Sequence, residues 1–223
     1  MVISIGNTIS GENPIEIIFR TDFTDDLTND IDFKKEVLEG CKSSVDIKWV
    51  VGPETFPNLS ILWNDCLKRS SGQIIQMGGD DLIYSKESWD RIVVREFKST
   101  FPNGIGFVYG PDGIFYSNLG THGFVSRLWT DTLGYFTPLQ GFTYFNDNWI
   151  FEIARKIGKL RYVESLFINH CRYPANHGKD PNYGRMADKH SQDQDRFNSP
   201  EMIQARNEAG AKLLNAEIPN YWG

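Results

Sequence analysis

The sequence predicts an α/β fold in which a mixed, mostly parallel central sheet is flanked by helices. Short runs of β-branched and aromatic residues alternate with longer segments whose apolar residues recur every three or four positions. Of the 223 residues, 40% are hydrophobic, so the chain can bury a substantial core and is expected to form a single domain. Strands that alternate with helices are typical of sheets that contain parallel strands.

The first three strands are predicted at residues 15–19, 46–51 and 73–77, where β-branched residues are dense. Between the second and the third, apolar residues at helical spacing indicate a helix, which ends at Ser70-Ser71-Gly72. This order of strand, helix and strand predicts a βαβ unit. The residues that define the helix are Leu59, Leu62, Trp63, Cys66 and Leu67.

The same patterns continue in the second half of the chain. They predict a helix over residues 89–97, a strand over residues 105–109 and a helix over residues 148–157 that is closed by Gly158. A last helix is expected to open at Ser199-Pro200. Residues 174–198 are polar and have no clear period, so they are predicted to be either a disordered lead into that helix or a loop that orders over a ligand.

Composition limits the classes of partner. A formal net charge of −6 and a pI near 5.3 argue against binding to nucleic-acid phosphates. The sequence contains neither a long apolar run nor a secretory leader, so no membrane span is expected. Three cysteines are an odd number without a paired metal spacing, which favours reduced thiols and a cytoplasmic protein.

Two adjacent carboxylates follow the third strand. The apolar run of residues 73–77 stops at Gly78-Gly79 and is followed directly by Asp80 and Asp81. Ligands of open α/β sheets bind beyond the carboxyl ends of the strands, and carboxylate oxygens suit Mg²⁺ or Mn²⁺ that carries a phosphate-bearing substrate. The alternative is a solvated turn without a ligand.

Three further groups are candidates for the same edge. Asp22 follows the first strand, which would place it on the edge of Asp80 if the two strands are parallel; it could instead cap a turn. Asp147 stands at a helix start, where it could be a general base or a simple helix cap. His170 ends an apolar run and is the best imidazole candidate for an ion at Asp80 and Asp81.

The order of these motifs resembles the GT-A glycosyltransferases of the family 2 type, in a branch often found in bacteriophages and their hosts. The resemblance covers nearly the whole chain and implies a Rossmann-like GT-A sheet. Residues 1–82 would form the nucleotide-sugar half, residues 83–198 the acceptor half and residues 199–216 a C-terminal helix. The motifs are Arg20-Thr21-Asp22, Val51-Gly52-Pro53, Trp63-Asn64, Gly79-Asp80-Asp81, Trp89-Asp90, residues 121–127, residues 133–136, residues 145–149, His170 and residues 178–183.

The resemblance implies inverting transfer of a sugar from a nucleoside diphosphate donor to an acceptor hydroxyl. Asp80 and Asp81 would hold Mn²⁺ or Mg²⁺ on the diphosphate, and His170, with His177 in reserve, would complete the shell of the ion. Asp147 corresponds to the acid that takes the proton of the acceptor. Such chemistry needs one base on the attacking side, because the ion stabilises the leaving diphosphate.

The resemblance also implies a UDP- or GDP-sugar site. Asp22, next to Arg20 and Thr21, corresponds to the residue that binds the nucleotide base. Asn64 and Gly79 would line the ribose and the diphosphate beside Asp80. The acceptor would be a glycan, a lipid-linked sugar or a protein.

The chain departs from the family pattern at two places. Gly78 stands where the family has the first acid of its acid-any-acid motif, and only fourteen residues precede the strand at residue 15, so the usual first strand and helix are missing. Residues 1–5 could supply a short strand. Two alternatives therefore stay open: a non-catalytic nucleotide-sugar or glycan-binding module, and a sugar nucleotidyltransferase, which would need a Gly-rich, basic phosphate loop near the N-terminus.

Overall fold

A computed structural model describes residues 1–41, 45–54, 58–171 and 181–223, with the side chains of residues 181–187 left out. In chain order the helices are α1 (Val2–Thr8), α2 (Asp26–Asn29), α3 (Ile31–Glu39), α4 (Leu59–Leu67), α5 (Trp89–Thr100), α6 (Arg127–Leu133), α7 (Asn146–Lys156), α8 (Pro181–Phe197) and α9 (Pro200–Asn215). The strands are β1 (Ile15–Asp22), β2 (Val45–Gly52), β3 (Ile74–Gln76), β4 (Leu82–Tyr84), β5 (Phe107–Tyr109), β6 (Phe124–Ser126), β7 (Leu160–Tyr162) and β8 (Ile168–His170).

The described strands form three sheets, and the predicted mixed α/β class is confirmed. β1 and β2 pair in parallel from Ile15↔Val45 to Asp22↔Gly52. A four-stranded sheet has the order β3-β6-β5-β7, in which only β5 and β7 are parallel, and β4 pairs with β8 in antiparallel orientation. Parallel pairing is therefore less dominant than predicted, because β6 runs antiparallel to β3 and β5, and β8 runs antiparallel to β4.

The predicted βαβ unit has the right order but a different sheet arrangement. β2, α4 and β3 follow one another as expected, and α4 has the expected bounds. However, β2 pairs with β1 whereas β3 pairs with β6, so the two strands belong to different sheets. The expectation that Asp22 and Asp80 share one sheet edge is therefore wrong, because β1 and β3 are not neighbours in a sheet.

The N-terminal segment is helical, so the prediction of a short strand at residues 1–5 is wrong. Ile5 and Ile9 lie four positions apart and are both buried, at 4% and 8% exposure. The Thr8 hydroxyl also donates to the carbonyl of Ser4 one helical turn back. Residues 5, 6, 8 and 9 are all buried, a pattern that one face of a helix accommodates, whereas a strand would turn neighbouring residues to opposite faces.

Most of the polar segment at residues 174–198 is the helix α8, so neither of its two predicted states is correct for residues 181–197; residues 174–180 lie outside the described residues. The helical period is hidden because a polar residue occupies its inner face. Asp193 is fully buried, and Phe197 follows it four positions later at 7% exposure. A search for apolar residues at helical spacing misses this face because Asp193, which lies on it, carries a carboxylate.

The four-stranded sheet separates two clusters of buried apolar residues. Phe107 of β5 belongs to the cluster that includes Trp149 and Leu213, from α7 and α9. The next residue, Val108, belongs to the cluster that includes Phe97 of α5. Successive strand residues point to opposite faces, so both faces of this sheet are covered by helices. None of the described helices is long and apolar enough to cross a bilayer.

We expect Asp193→Ala to lower the free energy of unfolding by about 3 kcal/mol, since two backbone amides would lose their acceptor inside the fold. The Asp193 carboxylate accepts from the amides of Thr143 at 2.8 Å and Tyr144 at 3.0 Å, and pairs with Lys189 at 3.2 Å. Chemical denaturation measures the change. Asp195→Ala, on the exposed face of the same helix, is the control and should change stability by less than about 0.5 kcal/mol. Equal losses in both variants would contradict the assignment.

Candidate functional site

Antiparallel pairing brings three chain segments to one edge of the structure. The amide of Met77, just after β3, donates to the carbonyl of Gly123, just before β6, at 3.3 Å. Leu82, at the start of β4, lies opposite His170, at the end of β8. The residues after β3, before β6 and at the end of β8 therefore meet. We call this group, Asp81, His122 and His170, the Asp81 edge.

Asp81 and His170 form the central contact of this edge. His170 Nε2 lies 3.0 Å from Asp81 Oδ2, and the two side chains are 19% and 34% exposed. The hydrogen bond from His170 holds the pKa of Asp81 below its ordinary value, against the effect of burial. Asp81 is therefore an anion that remains reachable from solvent.

His122 lies against His170 and is held by the backbone. The two ring centroids are 4.6 Å apart and the rings are perpendicular. His122 Nδ1 lies 3.3 Å from the carbonyl oxygen of Met77. Burial lowers the pKa of His122 to about 4, so the ring is neutral at pH 7.

Asp112 fixes the loop that leads to His122. Its carboxylate is 3% exposed and accepts from the amides of Ile114 and Phe115 and from the hydroxyl of Thr121. Burial alone would raise the pKa of Asp112, but these hydrogen bonds hold it below its ordinary value. The carbonyl of Asp112 also accepts from the amide of His170 at 2.9 Å, so the loop is tied to β8.

Asp147 lies in the first turn of α7. Its Oδ1 accepts from the amide of Asn148 at 2.8 Å. Burial raises the pKa of Asp147 from 3.8 to about 6, although the amide of Asn148 opposes this effect. His170 and Asp112 have smaller electrostatic effects on the same pKa, which His170 lowers and Asp112 raises.

Ser60 of α4 holds the start of α7. Its hydroxyl donates to Asn146 Oδ1 at 2.6 Å and accepts from the amide of Phe142 at 2.9 Å. Asn146 is 3% exposed and directly precedes Asp147. The position of Asp147 is therefore set by a buried polar contact with another helix.

Asn64, predicted to line the ribose and diphosphate, uses its side chain for internal contacts. Its Oδ1 accepts from the amides of Phe136 and Thr137, and its Nδ2 donates to the carbonyl of Thr137. Asn64 lines a surface cleft of about 170 Å³ between α4 and residues 134–139, and Asp81 and His170 are not among the residues of that cleft. Its neighbour Trp63 donates from the indole Nε1 to the carbonyl of Gly78 at 3.2 Å.

The Arg20-Thr21-Asp22 motif forms a separate cluster at the end of β1. The Arg20 side chain is only 2% exposed and lies 3.0 Å from Asp22 and 3.6 Å from Asp65 of α4. Arg20 also donates to the carbonyl of Pro53, and Thr21 donates to Asn29. Arg20 and Thr21 therefore support the strand end, whereas Asp22, with its side chain 28% exposed, remains reachable.

The two glycines before Asp80 differ in the space around them. A Cβ on Gly79 would lie 2.7 Å from Asp81 Oδ1 and 3.7 Å from His122 Cε1, whereas a Cβ on Gly78 would meet no atom within 4 Å. Asp80 is exposed. Within the described residues, no group of three or more His, Cys, Asp or Glu side chains is arranged to hold a metal ion.

The structure thus brings Asp81 and His170 into contact, places Asp147 at the start of α7 and leaves Arg20, Thr21 and Asp22 in their own cluster, while His177 lies outside the described residues. Sequence reasoning missed His122 and Asp112. His122 lies two residues before β6, and its place at the site depends on the antiparallel pairing of β6 with β3, which no local sequence signal shows. The first residues of one antiparallel strand lie beside the last residues of its partner.

Comparisons with known proteins support the fold. No protein-family model matches the chain, and no curated protein sequence matches it significantly. It is similar to the structure of the mannosyltransferase PcManGT from Pyrobaculum calidifontis in complex with GDP-Man and Mn²⁺, with a TM-score of 0.50 and 12% identity over 90% of this chain and 69% of that one. The catalytic domain of Drosophila β1,4-galactosyltransferase 7 in complex with xylobiose gives a TM-score of 0.43 and 14% identity over 75% of each chain. The chain therefore has a GT-A-like fold, of the kind found in glycosyltransferases.

Proposed function

We propose that this chain is an inverting glycosyltransferase of the family 2 type that moves a sugar from a nucleoside diphosphate to an acceptor hydroxyl. The observation that carries the proposal is Asp147, a half-buried carboxylate in the first turn of α7 whose pKa is raised to about 6 by desolvation. Burial of an ionisable group without an ion-pair partner is unfavourable, and groups with perturbed pKa values cluster at functional sites. The GT-A-like fold supports sugar transfer as the reaction.

The role that we propose for Asp147 is that of the general base. A base with a pKa near 6 is ionised at neutral pH and still basic enough to accept a proton as the acceptor oxygen attacks the anomeric carbon. The bond from that carbon to the diphosphate breaks on the opposite face, so the sugar is transferred with inversion. The diphosphate leaves as an anion and needs no proton donor.

We also propose a divalent ion at this edge, with Asp80, Asp81 and His170 as candidate residues to hold it and with water or diphosphate oxygens completing its shell. Asp81 Oδ2 already contacts His170, which leaves its other oxygen near Gly79. His122 Nε2 and His170 Nδ1 are buried without a hydrogen-bond partner, as expected for a site that accepts a further group. Mn²⁺ or Mg²⁺ bound there would neutralise the charge that develops on the leaving diphosphate.

For the donor we propose a UDP- or GDP-sugar. Asp22 is the candidate contact for the nucleotide base, since its side chain is reachable while Arg20 holds its carboxylate and Asn29 its carbonyl. Gly79 lets the backbone approach a diphosphate closely. The side-chain amide of Asn64 is already bonded to the backbone of Phe136 and Thr137. Asn64 would therefore position this segment beside the donor and would not contact the donor itself. The acceptor class that we propose is a glycan, a lipid-linked sugar or a protein.

One observation favours a second candidate, a non-catalytic nucleotide-sugar or glycan-binding module. Gly78 stands at the first acid position of the resembled motif, which removes one carboxylate that an ion could use. A binding module would keep its ligand affinity without a base. Asp147 therefore discriminates between the two candidates.

We expect Asp147→Asn to reduce turnover by at least about 100-fold while leaving donor affinity within about twofold, since the amide cannot accept the proton of the acceptor. Steady-state transfer from UDP- and GDP-sugars, with calorimetric titration of the nucleotide, separates the two effects. Asp131→Asn, an exposed acid of α6, is the matched control and should keep full activity. Unchanged turnover in Asp147→Asn would rule out its role as base.

Stability and pH provide an independent check of the same variant. In the wild-type chain, turnover should rise as the pH passes about 6, because Asp147 must lose its proton. Because its pKa is raised on folding, the contribution of Asp147 to folding stability is largest below about pH 4 and is lost as the pH rises to about 6. Asp147→Asn removes this loss and should be more stable than wild type at pH 8, by up to about 3 kcal/mol. A variant that is inactive and less stable would instead indicate a structural role.

A pair of glycine substitutions tests the ion site. Gly78→Asp restores the acid of the resembled motif where a Cβ meets no atom, and should strengthen Mn²⁺ binding roughly tenfold, about 1.4 kcal/mol. Gly79→Ala places a methyl group 2.7 Å from Asp81 Oδ1, so it must displace the carboxylate and should weaken binding. Isothermal titration of Mn²⁺ measures both. Equal affinities in the two variants would contradict an ion site at this turn.

A further inference from the structure

Two histidines of the Asp81 edge each have a ring nitrogen without a partner. His122 Nε2 and His170 Nδ1 are both buried, and neither makes a hydrogen bond. Buried polar atoms of native proteins are usually satisfied, so each exception needs an explanation. These two lie on neighbouring rings whose centroids are 4.6 Å apart.

The partners of the opposite ring nitrogens fix which nitrogen holds the proton. A carbonyl oxygen can only accept, so the contact of His122 Nδ1 with Met77 puts the proton on Nδ1. The carboxylate of Asp81 likewise accepts, so His170 Nε2 donates to it. In the neutral rings, His122 Nε2 and His170 Nδ1 are therefore the nitrogens that carry free lone pairs.

This pattern is that of metal-bound histidines. A histidine that binds a metal through one nitrogen almost always donates from the other to a carboxylate or a backbone carbonyl. Here His170 has the carboxylate and His122 has the carbonyl. Two imidazoles that bind one ion at about 2.1 Å and at roughly 90° to 110° have ring centroids about 4.6 to 5.3 Å apart, which includes the observed separation.

We propose that His122 and His170 together form a two-imidazole site for a divalent transition-metal ion. This site extends the ion site of the proposed function and adds His122 as a ligand. It rests on the proposed function only for the role of the ion in sugar transfer. The described residues offer no group of three or more metal-binding side chains, so water or diphosphate oxygens complete the shell. Asp81 orients His170 through Oδ2, and the carbonyl of Met77 orients His122.

The ligand type determines which ion is preferred. Imidazole nitrogen favours first-row transition ions, of which Mn²⁺ is the weakest-bound, over Mg²⁺, which prefers carboxylate and water oxygens. A site built from Asp80 and Asp81 alone would accept Mg²⁺ well. We therefore expect the chain to bind Mn²⁺ at least about tenfold more tightly than Mg²⁺.

The direct test is pulsed electron paramagnetic resonance of Mn²⁺ bound to the untagged full chain, which detects imidazole nitrogens without any substitution. The expected result is coupling to two nitrogens. His122→Gln and His170→Gln should each remove one coupling and weaken Mn²⁺ binding at least about tenfold in calorimetry. His190→Gln is the matched control, because His190 is exposed on α8 and contacts Tyr144 and Phe145 instead.

Thermal unfolding of each variant shows whether it folds. The wild-type spectrum tests for bound nitrogens by itself, even if a variant does not fold. Bound Mn²⁺ without nitrogen coupling, absence of Mn²⁺ binding, or unchanged coupling in His122→Gln would overturn the two-imidazole site. Carboxylate-only binding of Mn²⁺ would leave glycosyl transfer possible. Two-nitrogen binding in a chain without affinity for UDP or GDP would refute the proposed function and keep this site.

Discussion

The arrangement of the candidate site depends on the hydrogen bonds that α4 makes with residues 136–146. Ser60 and Asn64 present buried side chains that satisfy the backbone of this segment, and Ser60 also contacts Asn146 at the start of α7. Because Asp147 is the next residue, its position is set by these contacts. Trp63, on the same helix, holds the carbonyl of Gly78. One short helix therefore positions both the turn that carries Asp80 and Asp81 and the acid proposed as the base.

The candidate site residues and the residues around them include ionisable groups whose surroundings push their pKa values in opposite directions. Hydrogen bonds keep Asp81 and Asp112 anionic, whereas burial raises the pKa of Asp147 to about 6 and lowers that of His122 to about 4. At pH 7 these groups are therefore carboxylates of different basicity and a neutral imidazole. Such separation of pKa values assigns different chemical roles to similar side chains, and it lowers stability where a group is buried without an ion-pair partner.

The sequence predicted the local elements well because their signals are local. The bounds of α4 and the start of α9 follow from apolar spacing and from the Ser199-Pro200 pair, whose serine hydroxyl accepts from the amide of Met202. Sheet pairing was less predictable, since β3 joins β6 rather than β1 and this depends on contacts distant in sequence. His122 was missed for the same reason, because its place in the site depends on antiparallel pairing. The helix α8 was missed because Asp193 replaces an apolar residue on its inner face.

The central claim, a nucleotide-sugar site at the Asp81 edge, is tested most directly by calorimetric titration of UDP and GDP into the purified chain with and without Mn²⁺, alongside Asp80→Ala. The account predicts that one nucleotide binds, that binding requires Mn²⁺, and that it is lost in the variant. Binding of neither nucleotide under any of these conditions would contradict the account and would leave the GT-A-like fold as a likeness of structure alone.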